Sequence, residues 1–256
     1  AASEPLVIPV RIGLLTSEGK PIALRLEGEA APAEPVFERV LVLDAARNFF
    51  TFEGIDAEPV PSLLRGFSAP VILSDTLGDA ELLTLLQHDS DAFNRWEAGQ
   101  RMALARLLAA LRDGRPPTLD GAFAQAMRGA LRDPQLDPAF KALLLTLPSE
   151  SYIAEQLTAV DPPAIHAARR ALQLELAQHL RDDWHRAYAS HHASGPYSPD
   201  AASAGRRSLA NLALGSAKEV GRRQQLLILF AASLLLPEAD LGAWLALSLS
   251  TGDGED

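Results

Sequence analysis

The sequence predicts an α+β protein in which a small N-terminal β unit leads into a long α-helical unit. Three observations carry this. Up to about residue 60 the apolar residues alternate with a period of two, as on a half-buried strand. Beyond residue 73 they recur every three or four residues, the spacing of one helix face. Leu and Ala, both strong helix formers, abound, while aromatic residues are only 6% of the chain.

In the β unit, Leu6, Ile8, Val10, Ile12 and Leu14 alternate with Val7, Pro9, Arg11 and Gly13. Ser17-Glu18-Gly19-Lys20 has turn chemistry. Ile22, Leu24 and Leu26 then alternate again, so residues 6–26 read as a hairpin. Residues 28–35 form a Pro-containing loop, and 36–43 and 49–55 are two more strands around a turn at 44–48. Pro61 and Pro70 forbid a helix through their positions and push Val60 and Ala69 toward extended angles, so 61–73 reads as a hinge strand between the two units. About five strands suggest a small sandwich of two sheets over residues 1–73. A unit of that size is marginal alone and leans on a neighbour.

The helical unit is read as residues 74–250, with a polar tail at 251–256. Leu82, Leu83, Leu85 and Leu86 mark a first helix ending near His88. Phe93, Trp96, Leu104, Leu107, Leu108 and Leu111 mark a long second one, stopped at Gly114. Leu119, Phe123, Met127 and Leu131 make a third, ended by Asp133-Pro134. Asp137 caps a fourth, with Pro138 in its first turn, and Ser149 caps a short fifth. Asp161-Pro162-Pro163 opens what reads as the longest helix, with Ile165, Leu172, Leu176, Leu180, Trp184 and Tyr188 on one face. A polar loop at 191–199 and two helices at 200–214 and 217–236 follow. Short helices with short capped connections predict antiparallel neighbours stacked in pairs.

Composition narrows the function. A net charge of −10 argues against nucleic acid, whose binders concentrate Lys and Arg. There is no cysteine, which excludes disulfides and thiolate metal sites and fits a cytoplasmic protein. Ala1–Pro5 lacks the basic segment and apolar core of a secretory leader, and the apolar run 226–236 is too short to span a bilayer, so no membrane partner is expected. No nucleophile elbow, phosphate-cradling glycine loop or dinucleotide fingerprint occurs.

The best metal-ligand candidates are His179, Asp183 and His185, within a wider group that includes Asp182, His191 and His192. His179 and Asp183 share a helix face at four residues' separation. Zinc needs three or four converging N or O ligands. A solvated helix end explains the same residues more simply, and no metal site is assigned. The carboxylates Asp89 and Asp91 are read as helix-start and solvated-turn residues.

Pro61-x-Leu-Leu-x-x-Phe-Ser-Ala-Pro-Val71, followed by Asp91-Ala-Phe-Asn-Arg-Trp-Glu-Ala-Gly-Gln100, resembles the bacterial aminopeptidase N family of zinc metallopeptidases, over roughly residues 4–215. The resemblance implies a β-sandwich running into a superhelix of armadillo- or HEAT-like helix pairs, of which this chain carries the first part. It implies a parent enzyme that removes N-terminal residues from peptides with one zinc. The zinc ligands and catalytic glutamate belong to a preceding domain of the same polypeptide. No His-Glu-x-x-His occurs here, so no catalytic residue is carried over and no cofactor is expected in this chain. Its role is then interdomain support and chamber wall. Arg95, Trp96 and Gln100 are the residues most specific to the likeness. Trp96 is expected to pack between the helical and β units, and Arg95 and Gln100 to satisfy nearby carbonyls or carboxylates. Two other readings stand beside this one: a stand-alone module presenting a concave surface to a peptide or protein, and a free-standing enzyme built on the histidine cluster.

Overall fold

Strand β1 (Ile8–Leu15) is the strand with which every other strand of the sheet pairs. The computed structural model describes residues 6–192 and 197–235, with side chains described as far as residue 221. All the pairings are antiparallel. The first half of β1 pairs with β3 (Arg39–Leu43), placing Val10 opposite Leu41. Its second half pairs with β2 (Pro21–Ile22) and with β4 (Val60–Ser62), placing Leu14 opposite both Ile22 and Pro61. The alternation read from the sequence thus becomes one buried row, Ile12 and Leu14, against Leu24 and Leu41. Phe50 and Phe52 pack on this row from a segment tied by Glu27 N–H to Thr51 O, Glu53 N–H to Arg25 O, and a single bridge between Leu26 and Phe52. The predicted strand at 49–55 is therefore an irregular layer.

The predicted hinge strand 61–73 is corrected. Its extended pairing stops at Ser62, and the chain enters a 3-10 turn at Arg65–Phe67. Leu64, Gly66 and Phe67 all have left-handed backbone angles (φ 55°, 61° and 55°), which no strand tolerates. Val71, Ile72 and Leu73 then run exposed, without a strand partner.

Eight helices follow among the described residues: α1 (Asp79–His88), α2 (Ala92–Asp113), α3 (Gly121–Arg132), α4 (Pro138–Leu144), α5 (Glu150–Glu155), α6 (Pro162–His179), α7 (Arg181–His191) and α8 (Ala201–Leu235). Most of their starts are set by side-chain caps. Asp91, Asp120, Asp137, Ser149 and Asp161 each accept a hydrogen bond from a first-turn N–H. Gly114 ends α2 in the left-handed region (φ 62°), where glycine carries no Cβ penalty.

Two expectations for the later helices are corrected. The single helix predicted from Asp161 through Tyr188 is two, broken at Leu180 (φ −104°, ψ 19°). Arg128 of α3 donates to the His179 carbonyl freed at the break. The two helices predicted at 200–214 and 217–236 are one, α8, which packs on α4, α6 and α7. Gly215 inside it costs only about 1 kcal/mol in propensity, less than this packing returns.

One apolar core unites the helices. Leu107, Phe123, Leu144, Ile153, Leu172, Leu180, Trp184 and Leu209 are fully buried in it, and Leu15 of β1 and Val60 of β4 belong to the same cluster. The end of the sheet and the first helices therefore share an interior. That places the most informative site of the molecule at their seam.

Candidate functional site

The left-handed backbone at Leu64, Gly66 and Phe67 turns the Arg65 side chain inward between the sheet and α1–α2. Arg65 is 5% exposed, and its guanidinium is the hub of the seam. Nε donates to Glu38 Oε1 at 2.9 Å, Nη1 to Ser62 Oγ at 2.8 Å and to Asp89 Oδ1 at 2.7 Å, and Nη2 to Ser90 Oγ at 2.6 Å. Asn94 of α2 donates to the same Ser62 Oγ at 2.7 Å. One cation so joins the β3 entry, β4, the end of α1 and the start of α2. Gly13 of β1 leaves the space, since a Cβ there would lie 3.0 Å from Arg65 Nη1.

Asp89 is 2% exposed, which corrects its reading as a solvated turn residue. It closes α1 and pairs with Arg65, while its Oδ2 is buried without a hydrogen-bond partner. Asp91 does sit at a helix start, but with a second task. Its Oδ1 caps α2 through Asn94 N–H, and its Oδ2 accepts from Gly66 N–H at 2.9 Å, fixing the turn that carries Arg65. The Thr16–Lys20 turn presses on the same C-terminal half of α1. Thr84 Oγ1 donates to Ser17 O at 3.2 Å, and Gly19 (φ 80°) lies so near that a Cβ there would stand 2.1 Å from His88 Cγ.

Of the three residues the likeness singled out, Arg95 donates to Leu86 O at 3.1 Å, and burial lowers its basicity. Gln100 is buried and donates to Thr146 O at 2.8 Å, tying α2 to the turn after α4. Trp96 is half-buried against the helical core and reaches the seam through Phe93, which stacks on Phe67 with 3.9 Å between ring centroids. Because part of the ring is exposed, Trp96→Ala should cost about 1–2 kcal/mol, short of the roughly 3–5 kcal/mol of a fully buried tryptophan. Chemical denaturation of the two proteins checks this.

Asp75, just before α1, binds both terminal nitrogens of Arg101 on α2 at 2.7 and 2.8 Å. That pairing holds its carboxyl below the usual carboxylate range against the opposing effect of burial. A carboxyl whose pKa is lower when folded stabilises the fold above its unfolded pKa, about 3.9, and loses that contribution as pH falls through the folded value. The urea midpoint should therefore drop more between pH 5 and pH 3 for the native chain than for Asp75→Asn.

The candidate metal group does not assemble. Asp183 is buried and receives Arg128, Arg132 and Arg186; burial acts to raise its pKa, but the pairing with Arg132 and Arg186 holds it below the usual carboxylate range. His185 is exposed, and His179 lies on the surface with Nδ1 3.0 Å from Glu175 O. Among the described residues no three His, Asp or Glu side chains converge on a common point. These residues do not fit a zinc site, because the one buried carboxylate is already saturated by arginines.

Sequence reasoning missed Arg65, which stands at an unspecified position of the quoted motif. The available signal was an arginine between two helix-breaking prolines, in a segment otherwise apolar.

Comparison with known proteins agrees with this architecture. Residues 79–232 match the family described as a domain of unknown function with ARM repeats (DUF3458_C), and residues 1–76 match its companion with an Ig-like fold (DUF3458). The match extends past Gly215, where the resemblance had been expected to fade. Aminopeptidase N of Caulobacter vibrioides is 42% identical over 172 residues, 67% of this chain and 20% of that protein. Aminopeptidase N of Escherichia coli is 38% identical over 186 residues, 72% of this chain and 21% of that protein. The crystal structure of Legionella pneumophila aminopeptidase A in complex with aspartic acid superposes with a TM-score of 0.70 at 27% identity, over 88% of this chain and 26% of that one. The chain thus spans about a fifth of the length of the curated relatives it matches. An Ig-like unit followed by a helical ARM-repeat unit is the architecture that the two family descriptions give, and the chain belongs to this family as a homologue of the C-terminal region of aminopeptidase N.

Proposed function

We propose that this chain is the supporting C-terminal part of a zinc-dependent aminopeptidase whose catalytic domain lies earlier in the same polypeptide. In that enzyme the Ig-like unit is held against the catalytic domain, and the helices form part of the wall of the chamber that admits small peptides. The zinc, its ligands and the catalytic glutamate belong to the preceding domain, and the enzyme works in the cytoplasm. The single observation that carries the reading is the 42% identity over 172 residues with the C-terminal region of an aminopeptidase N. The seam supports it: Arg65, Asp89 and Asp91 are spent on rigidity, with no pair of carboxylates left facing an open cleft there. The exposed apolar run Val71–Leu73, with Ile72 fully open to solvent, offers a surface for the preceding domain to cover. The native reading frame tests the proposal. A His-Glu-x-x-His followed by a second glutamate, upstream and in frame with Ala1, is the expected result. An in-frame start codon immediately before Ala1 would overturn it.

A further inference from the structure

A second feature lies away from the Arg65 hub, on the outer face of α2. Trp96, Glu97 and Gln100 line a half-open pocket of about 380 Å³ with Leu143, Leu147 and Tyr152 contributed by α4, the turn after it and α5. The volume falls within the range of small-ligand sites. The walls are mostly apolar and carry two aromatic side chains. Gln100 is committed to the Thr146 carbonyl, which leaves Glu97 as the only carboxylate lining this pocket.

Glu97 has no hydrogen bond or ion pair with any described residue. The cation whose charge acts on it is Arg101, one helical turn on, itself held through both terminal nitrogens by Asp75. That neighbouring pair is electrically neutral, so the pocket retains one uncompensated negative charge. Burial, the largest influence, and the nearby Asp75 raise the Glu97 pKa, while Arg101 only partly opposes them. Tyr152 is pushed up as well, first by burial and then by Glu97, which puts the phenol within the carboxylate's field. A half-buried carboxylate without a counter-ion, flanked by a tryptophan and a tyrosine over an aliphatic floor, is complementary to one chemistry. It suits a cationic head on an alkyl stem, with the head on the carboxylate and the ring faces, and the stem on the leucines.

We propose that the Trp96–Glu97–Tyr152 pocket binds an alkylguanidinium or alkylammonium group. Such a group comes from two sources, a free organic amine or a basic side chain of a polypeptide. The proposal does not depend on the parent-enzyme reading.

The test is titration of the intact chain with butylguanidinium, with its neutral analogue butylurea, and with the N-acetylated tripeptide amide Ala-Arg-Ala. The readout is the Trp96 indole N–H resonance, assigned by its loss in Trp96→Phe. The expected result is a saturable shift with butylguanidinium, none with butylurea, and at least tenfold weaker binding by Glu97→Gln, the Trp184 indole staying unmoved. Glu97→Gln is isosteric, and an unchanged thermal melt shows that it remains folded. Tighter binding of the tripeptide assigns the site to a polypeptide side chain, and tighter binding of butylguanidinium assigns it to a free organic cation. Equal shifts with butylguanidinium and butylurea, undiminished binding by Glu97→Gln, or no saturation at millimolar butylguanidinium would overturn the proposal.

Discussion

Replacing Arg65 by methionine should destabilise the chain by about 3–5 kcal/mol, the largest loss expected from any single polar substitution here. Methionine keeps much of the aliphatic volume and removes the charge. Asp89, 2% exposed and already short of a partner for Oδ2, would then be a buried carboxylate without an ion pair, left with the Asp91 N–H on Oδ1. Ser62 Oγ would keep only Asn94, and Ser90 and Glu38 would lose the guanidinium. Removing one partner of a buried pair costs far more than removing both, because the survivor retains its desolvation penalty. The double substitution Arg65→Met with Asp89→Leu should therefore recover a substantial part of the loss. A double-mutant cycle from urea unfolding measures this coupling. Additive effects of the two substitutions would show that the seam is held by apolar contact between Leu15, Val60 and the helices instead.

Trp184→Ala should cost a comparable 3–5 kcal/mol, for a different reason. Trp184 is 1% exposed in the main core, and truncating it leaves a cavity that Leu180 and Leu209, both at 0% exposure, are too tightly held to fill. The indole N–H is buried without a hydrogen-bond partner, so part of its polar character works against the fold. Trp184→Phe removes that N–H with less loss of volume and should cost markedly less than the alanine. Far-UV circular dichroism through a urea transition gives both values, and equal costs would show that the loss does not come from the cavity.

Element existence was legible wherever one local signal decided it. The caps at Asp137, Ser149 and Asp161 and the stop at Gly114 are written in single residues, and the helices begin and end beside them. The Ile12–Leu14 face of β1 was legible because alternation is local too. The misread features were settled by distant partners. Nothing near Leu180 announces a break, which is accommodated by Arg128 arriving from α3 to take the His179 carbonyl. Conversely, Gly215 looked like an end, yet α4, α6 and α7 hold α8 straight through it. The run 61–73 looked extended because Pro61 and Pro70 exclude helix at their positions, but three left-handed residues turn it so that Arg65 can reach Asp89.

The candidate site was less legible than the fold. Asp89 and Asp91 looked alike in sequence, two acids at a helix junction, and only tertiary contact separates a buried counter-ion from a cap. Asp183 looked like a metal ligand because histidines surround it in sequence, whereas arginines surround it in space. Trp96 and Gln100 came from the resemblance. The pocket they share with Glu97 and Tyr152 depends on α5 returning to α2, which no local pattern encodes.

The central claim is that this chain supports catalysis performed elsewhere in a longer polypeptide. Hydrolysis of fluorogenic alanyl and leucyl amides by the purified chain, with and without added zinc, tests it most directly. The predicted result is no turnover in either condition, from a chain whose circular dichroism shows it folded. Zinc-dependent turnover that follows the chain through purification and disappears in His179→Ala would contradict the account and place a catalytic centre within these residues.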